Sequence, residues 1–503
     1  MLRKIITASL LAVILAGVLF MLGCDRDTND SGTPTADDST SVDLTPADID
    51  TDNGDVNGEE ARPSSVLPAD RNFNGAEFRV IMPNVAQLYH QFIVEEFNGE
   101  PINDALFRRN TRIEEMYNVT FVHTEVSYPN DVINRNVRAG DDTFHLMIST
   151  LRNAANLGAQ NILMDLYSVP YIGQSLALSN PWWDRSLARD LSINNTLFFQ
   201  AGDLLMHDKL RLAVMFFNKD MFNTLGIEFP YHHVYEGTWT IATLQEMVRE
   251  INQDINGIGG MDQYSQWGFM SQHEASFHWF AGAGLRTVTL DRDGVPEITM
   301  NTPRALDVIQ TILEVKTDGV TMFHADRIRG SSNVWYTASA FFQEGRFAIR
   351  QSVFEPVVRD LRAMPTDFGL LPVVKFDEYQ ENHYSWVEMS GWVVSIPNNA
   401  DDSFAGFITE ALAYESGDTL MPAFIDLVLY SQILRDDESE GMLDFIWDGR
   451  VYDIGYIYNI GELSTVLQNM TFTNSTDFAS RFERIYRPAQ IALERFIETY
   501  AIH

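Results

Sequence analysis

Leu212-Ala213-Val214-Met215-Phe216-Phe217 is an unbroken apolar run, and it ends abruptly in Asn218-Lys219-Asp220. A run this short, closed by polar residues, reads as a buried strand. Pro230 and then Gly237-Thr238-Trp239-Thr240 lead into Leu244, Met247, Val248 and Ile251, which fall on one helical face. Thr240 is positioned to cap that helix, and Thr243 with Glu246 forms an alternative capping box. Trp239 is assigned a structural part at the start of the helix. A second structural unit is therefore expected to begin near Leu210.

Working outward, Phe78-Arg79-Val80-Ile81-Met82 is a strand closed by Pro83-Asn84. Ile102, Leu106, Arg109, Ile113 and Met116 share a helical face on which Arg109 is the polar exception, and Asn118 breaks the helix. Val119-Thr120-Phe121-Val122 and Phe144 to Ile148 read as two more strands. Strand, long helical crossover and buried strand predict a parallel α/β sheet. Ligands bind such sheets at loops leaving the strand C-termini, here Pro83-Asn84 and Ser149-Thr150-Leu151-Arg152. Phe404, Phe407, Ile408, Ala411 and Leu412 mark a later amphipathic helix. Phe478, Phe482 and Ile485 mark the last one, interrupted or restarted at Pro488.

The 503 residues exceed one ordinary domain, and at about 150 residues per domain two or three are expected. With 35 Lys+Arg against 70 Asp+Glu the net charge is −35, which excludes nucleic acid as the expected partner. A single cysteine excludes intramolecular disulfides and cysteine-rich metal centres. Arg3 and Lys4, an apolar stretch from Ile5 to Phe20, and Met21-Leu22-Gly23-Cys24 resemble a bacterial lipoprotein signal, with Met21 where the pattern usually has Leu. The resemblance implies lipidation of Cys24 and attachment to a membrane. Residues 25–70 carry 13 acidic side chains against 2 arginines and almost no large apolar residue. They predict a disordered acidic tether with a root-mean-square reach of roughly 35–40 Å.

The order of the pieces resembles the extracellular solute-binding proteins of ABC importers, of the oligosaccharide and maltodextrin type. Met215-Phe216-Phe217-Asn218-Lys219-Asp220, Leu225-Gly226-Ile227, Pro230 and Thr238-Trp239-Thr240 carry the resemblance first. Ala340 to Ile349, Gly369-Leu370-Leu371-Pro372 and Gly391-Trp392-Val393-Val394-Ser395-Ile396-Pro397 continue it in the family's order. The resemblance covers roughly residues 73–503. It implies an α/β, two-lobe periplasmic-binding-protein-like fold with crossing hinge strands and an interlobe cleft. The first lobe is expected to hold 71–208 and about 390–440, the second 212–387 and about 445–503. Hinge closure around a ligand is what such an architecture offers.

A carbohydrate binder needs rings for the sugar faces and polar side chains for the hydroxyls. Gln272-His273-Glu274-Ala275-Ser276-Phe277-His278-Trp279 resembles the maltodextrin-type segment, which would give Glu274 hydroxyls to bond and Phe277 a face to stack on. A helix start with Glu274 in its first turn explains the same residues structurally. After the Ala348-Ile349 strand the family's Gly-x-Trp type loop is absent, leaving Phe354 as replacement ring and Arg350 or Gln351 as hydrogen-bond donors. Asn84, Ser149, Thr150 and Arg152 are first-lobe candidates. The adjacent pairs Trp182-Trp183 and Trp335-Tyr336 suit stacking if exposed, and anchor loops if not. Trp392 fits either strand core or cleft. Asp254-Ile255-Asn256-Gly257-Ile258-Gly259-Gly260-Met261-Asp262 is similar to a calcium loop, but Ile258 and Ser265 stand at two ligand positions, and a glycine-rich turn is the preferred reading. No metal or cofactor is expected.

These readings make the chain a lipid-anchored, monomeric, non-catalytic component that captures a small-molecule solute, a sugar, at the extracellular face of the membrane. It would deliver the solute to ABC permease subunits. An exported glycoside hydrolase remains an alternative, because abundant carboxylates supply the pair that chemistry needs. So does a surface polysaccharide-binding or sensing lipoprotein without a transporter.

Overall fold

A computed structural model describes residues 63–85, 91–361, 364–429 and 437–500. The signal segment 1–24 with Cys24, and the tether up to residue 62, lie outside the described residues. Among the described residues no helix is long and apolar enough to cross a membrane.

The first strands are β1 (Ala76–Pro83), β2 (Val119–Val126), β3 (Leu146–Thr150), β4 (Ala213–Asn218) and β5 (Trp267–Ser271). There follow β6 (Val288–Leu290), β7 (Pro296–Ile298), β8 (Phe323–His324), β9 (Phe347–Val353) and β10 (Phe368–Leu371). The last are β11 (Ser385–Trp386), β12 (Trp392–Ser395) and β13 (Arg450–Val451). They form two principal sheets, in the orders β12-β3-β1-β2 and β10-β4-β9-β5-β8.

In the first sheet β1 runs parallel to β2 and β3, and β12 returns antiparallel against β3. The crossover between β1 and β2 is the helix Pro101–Tyr117, which Asn118 ends with φ 51° in the left-handed region. Its polar exception, Arg109, is wholly buried. The guanidinium donates to the carbonyls of Phe92 and Leu204 and to Ser416 Oγ, and burial pushes its pKa down to about 9. The helices Asp402–Asp418 and Leu420–Leu429 pack on this crossover.

In the second sheet β4 is buried along its whole length, antiparallel to β10 on one side and β9 on the other. Asn218 ends β4 and caps the next helix by accepting from the Met221 N–H. Thr240 caps Ile241–Ile251 by accepting from Thr243, and Trp239 is fully buried with its indole N–H on the Pro372 carbonyl. The C-terminal helix Phe478–Tyr500 continues through Pro488, so the expected interruption there is corrected. One apolar face, Phe482, Ile485, Ala489 and Leu493, stays packed on both sides of the proline, and this packing carries the helix past the lost hydrogen bond.

Two segments link the sheets side by side. Leu212 bridges Val387 in antiparallel sense, and the Glu388 N–H donates to the Arg211 carbonyl at 2.9 Å. The chain thus enters the second sheet at Leu212 and comes back toward β12 through Val387 to Gly391. This two-lobe α/β arrangement with crossing segments is the expected fold class.

Candidate binding cleft

Beside the crossing segments lies a cavity of about 300 Å³. One side is a ladder of alternating charge. Arg211 pairs with Glu355 at 2.8 Å and Glu388 at 3.4 Å, Arg359 pairs with Glu355 at 3.1 Å, and the Ser390 hydroxyl donates to Glu388 at 2.9 Å.

Two rings open onto the cavity. Asn333 caps the helix Val334–Gln343 by accepting from the N–H groups of Trp335 and Tyr336. That cap sets the rings at the helix start, where Trp335 is 43% and Tyr336 46% exposed. The Arg359 guanidinium lies 4.5 Å from the Tyr336 ring centre, a cation–π contact that steadies the ring.

Glu274 faces the same space. Burial, with the nearby Glu388 carboxylate adding to it, pushes its pKa up to about 7. The Tyr456 hydroxyl donates to it at 3.3 Å. Three further polar atoms of cavity-lining side chains are buried and find no partner among the described residues: Arg211 Nε, Gln272 Nε2 and His278 Nδ1. Burial holds the His278 imidazole neutral, with its pKa down to about 3. Unpartnered buried polar groups are costly, so their convergence on one cavity marks a place built to meet a polar molecule.

Of the residues singled out in the sequence, Glu274, Trp335, Tyr336 and Arg350 line this cavity. Arg350 is buried and donates to Ser339 Oγ at 2.8 Å. Alternation along β9 sends Gln351 to the opposite face, where it accepts from Ser271 and the Trp279 indole. Phe354 is fully buried and offers no stacking surface. Phe277 is buried too, behind Glu274, against Trp386 and Tyr456. Arg152 approaches from the first lobe, donating to the Tyr456 carbonyl. Asn84 is exposed past β1, Ser149 is buried in β3, and Thr150 caps the helix Leu151–Gly158; none of them lines the cavity.

Trp182, Trp183 and Trp392 take the buried one of the two readings left open. Trp182 and Trp183 are buried in the first lobe and donate their indole N–H groups to the two oxygens of Glu410, at 2.9 and 2.8 Å. Trp183 also borders a separate first-lobe pocket. Trp392 is buried in β12 and stacks on His207 with ring centres 4.4 Å apart. In the glycine-rich turn, Asp254 already accepts from the N–H groups of Gly257, Ile258 and Gly259, the arrangement of a turn.

Arg211, Glu388, Glu355 and Arg359 were not singled out in the sequence. Gln272 and His278 stand in the stretch quoted around Glu274, and Glu355 closes the stretch from Arg350, so their neighbourhood was visible although their roles were not. Arg211 carried no signal, being one charge before a strand.

The fold is that of the substrate-binding proteins of ABC importers. An ABC substrate-binding protein from Listeria monocytogenes in complex with cycloalternan superposes with a TM-score of 0.52 at 12% identity, over 85% of this chain and 99% of that one. A maltose/maltodextrin-binding domain from Bdellovibrio bacteriovorus bound to maltotriose gives 0.51 at 14% identity, over 84% and 100%. A cyclo/maltodextrin-binding protein complexed with maltotetraose gives 0.53 at 14% identity, over 84% and 96%. No protein-family model matches the chain, and no curated protein matches it.

Proposed function

We propose that this protein captures a carbohydrate, an oligosaccharide, in the cavity beside its crossing segments and hands it to an ABC permease. A lipid on Cys24 would hold it at the extracellular face of the membrane. The observation that carries the reading is the pairing of Trp335 and Tyr336, both exposed, with three buried polar atoms that lack a partner among the described residues. Rings cover sugar faces, and such polar atoms bond hydroxyls. Carbohydrates bound by proteins of the same fold support the choice of ligand class. Lobe closure needs only that the ligand bind the closed arrangement better than the open one.

One observation favours a second reading. Glu274, with its pKa at about 7, lies near Glu388, which is ion-paired to Arg211. A carboxyl kept protonated beside a paired carboxylate is the layout of glycoside hydrolysis. Thermal-shift screening of the purified protein against mono- and oligosaccharides tests both. A ligand-specific rise in melting temperature, with the sugar recovered intact, supports capture. Recovery of shortened sugar supports hydrolysis, and no shift with any carbohydrate overturns both.

A further inference from the structure

At one end of the second sheet, His273, His324 and Asp326 bring two imidazoles and a carboxylate together, with their donor atoms within 4.8 Å of one another. Strand pairing brings this about. Ser271 of β5 is in register with His324 of β8, so His273 follows the end of β5 and Asp326 the end of β8. The Asp326 carboxylate also accepts from the His273 backbone N–H at 2.9 Å, which ties the two loops.

The histidines are buried, at 1% and 4% exposure. His324 Nε2 lies 2.7 Å from the Lys316 carbonyl, so that nitrogen carries the hydrogen and Nδ1 presents a lone pair. Among the described residues this Nδ1 finds no partner, and neither does either ring nitrogen of His273. Three unpartnered buried nitrogens beside a carboxylate call for a further group. A ring whose far nitrogen is fixed on a backbone carbonyl is how ligating histidines are oriented.

We infer that His273, His324 and Asp326 form a binding site for a divalent first-row transition ion of the zinc class, separate from the carbohydrate cavity. Two imidazoles and one carboxylate suit such an ion and leave open positions, whereas calcium and magnesium want oxygen ligands. Lys316 and Arg327 are the neighbouring cations, and Asp326 supplies the opposing charge. The two rings stack with centres 4.0 Å apart and planes 15° from parallel. Their in-plane lone pairs cannot meet at one ion in that pose, so loading turns one ring and draws the donors closer.

The test adds Zn²⁺ or Co²⁺ to the purified, chelator-treated protein. The expected result is one ion per chain, a visible Co²⁺ absorption band with nitrogen ligation, and a Zn²⁺-dependent rise of several degrees in melting temperature. Ca²⁺ and Mg²⁺ leave it unchanged. His324→Gln removes the band. Asp326→Asn changes an exposed residue, so the chain still folds, and it weakens Co²⁺ binding by roughly tenfold or more. The inference is overturned if neither ion binds, meaning that water alone meets the rings. It is equally overturned if Asp326→Asn binds both ions as the parent does.

Discussion

The Tyr456 hydroxyl donates to Glu274 in the cavity, while the Tyr456 carbonyl accepts from Arg152 of the first lobe. The Arg152 guanidinium also lies 5.3 Å from the Tyr456 ring centre. One tyrosine therefore joins a cation that starts a first-lobe helix to the acid that faces the candidate ligand. Trp386 packs edge-on against the same ring at 4.1 Å, which fixes its pose.

Burial, with the Glu388 carboxylate adding to it, gives Glu274 a measurable pH signature. Its pKa is raised from 4.5 to about 7, so between those values the folded chain holds a proton that the unfolded chain releases. Stability drawn from this group therefore falls as pH rises through that window and levels off above it. Buried His273, His278, His324 and His383, all lowered, act with the opposite sign below about 6.5. The informative quantity is the difference between parent and Glu274→Gln. The variant is expected to gain on the order of 1–2 kcal/mol relative to the parent between pH 5 and 8. Denaturant titrations at both pH values measure it, and an unchanged difference contradicts the assignment.

Trp182→Ala separates core from cleft. The substitution removes a wholly buried ring and one of the donors to Glu410. A loss of about 3–5 kcal/mol is expected. Affinity for any carbohydrate that binds should stay within a factor of about two, because the ring is not among the residues lining the cavity. Calorimetric unfolding and a binding isotherm on the same preparation check both halves.

Arg450→Ala tests how β13 is tied to the segment between Asp184 and Asp208. Arg450 bonds Asp208 at 2.5 Å and lies 3.7 Å from Asp184, which also accepts from the Tyr452 hydroxyl and caps a helix through the Ser186 and Leu187 N–H groups. Both carboxylates are almost fully buried, and removing the cation leaves Asp208 with Lys209 at 3.1 Å and Asp184 with neutral donors alone. A destabilisation of about 1–3 kcal/mol is expected. Adding Asp208→Asn to the variant should restore part of it. If the double variant is no better than the single one, the pair is not what holds this contact.

The fold was legible wherever local chemistry and burial agree. β4 shows as an unbroken apolar run, Thr240 and Trp239 mark a helix start, and Asn118 takes the left-handed turn that ends a helix. The cavity was legible only in part. Its ring pair, Trp335-Tyr336, was singled out in the sequence, whereas Asn333, the cap that sets it, was not. Trp182-Trp183 looks the same in sequence, but its partner Glu410 is more than 220 residues away, and no local signal announces it. Arg211 and Glu388 come from crossing segments too short to show any period, and they meet only because Leu212 and Val387 pair. Arg350 and Gln351 differ by one residue, and the strand's alternation alone decides which faces the cavity.

Isothermal titration of the protein and of its Trp335→Ala, Tyr336→Ala double variant with an oligosaccharide panel tests the central claim most directly. Both rings are partly exposed, so truncating them should leave the fold intact. The account predicts saturable binding of an oligosaccharide, one per chain, weakened by roughly tenfold or more in the double variant. Failure of the parent to bind any member of the panel, or equal binding by the double variant, would contradict it.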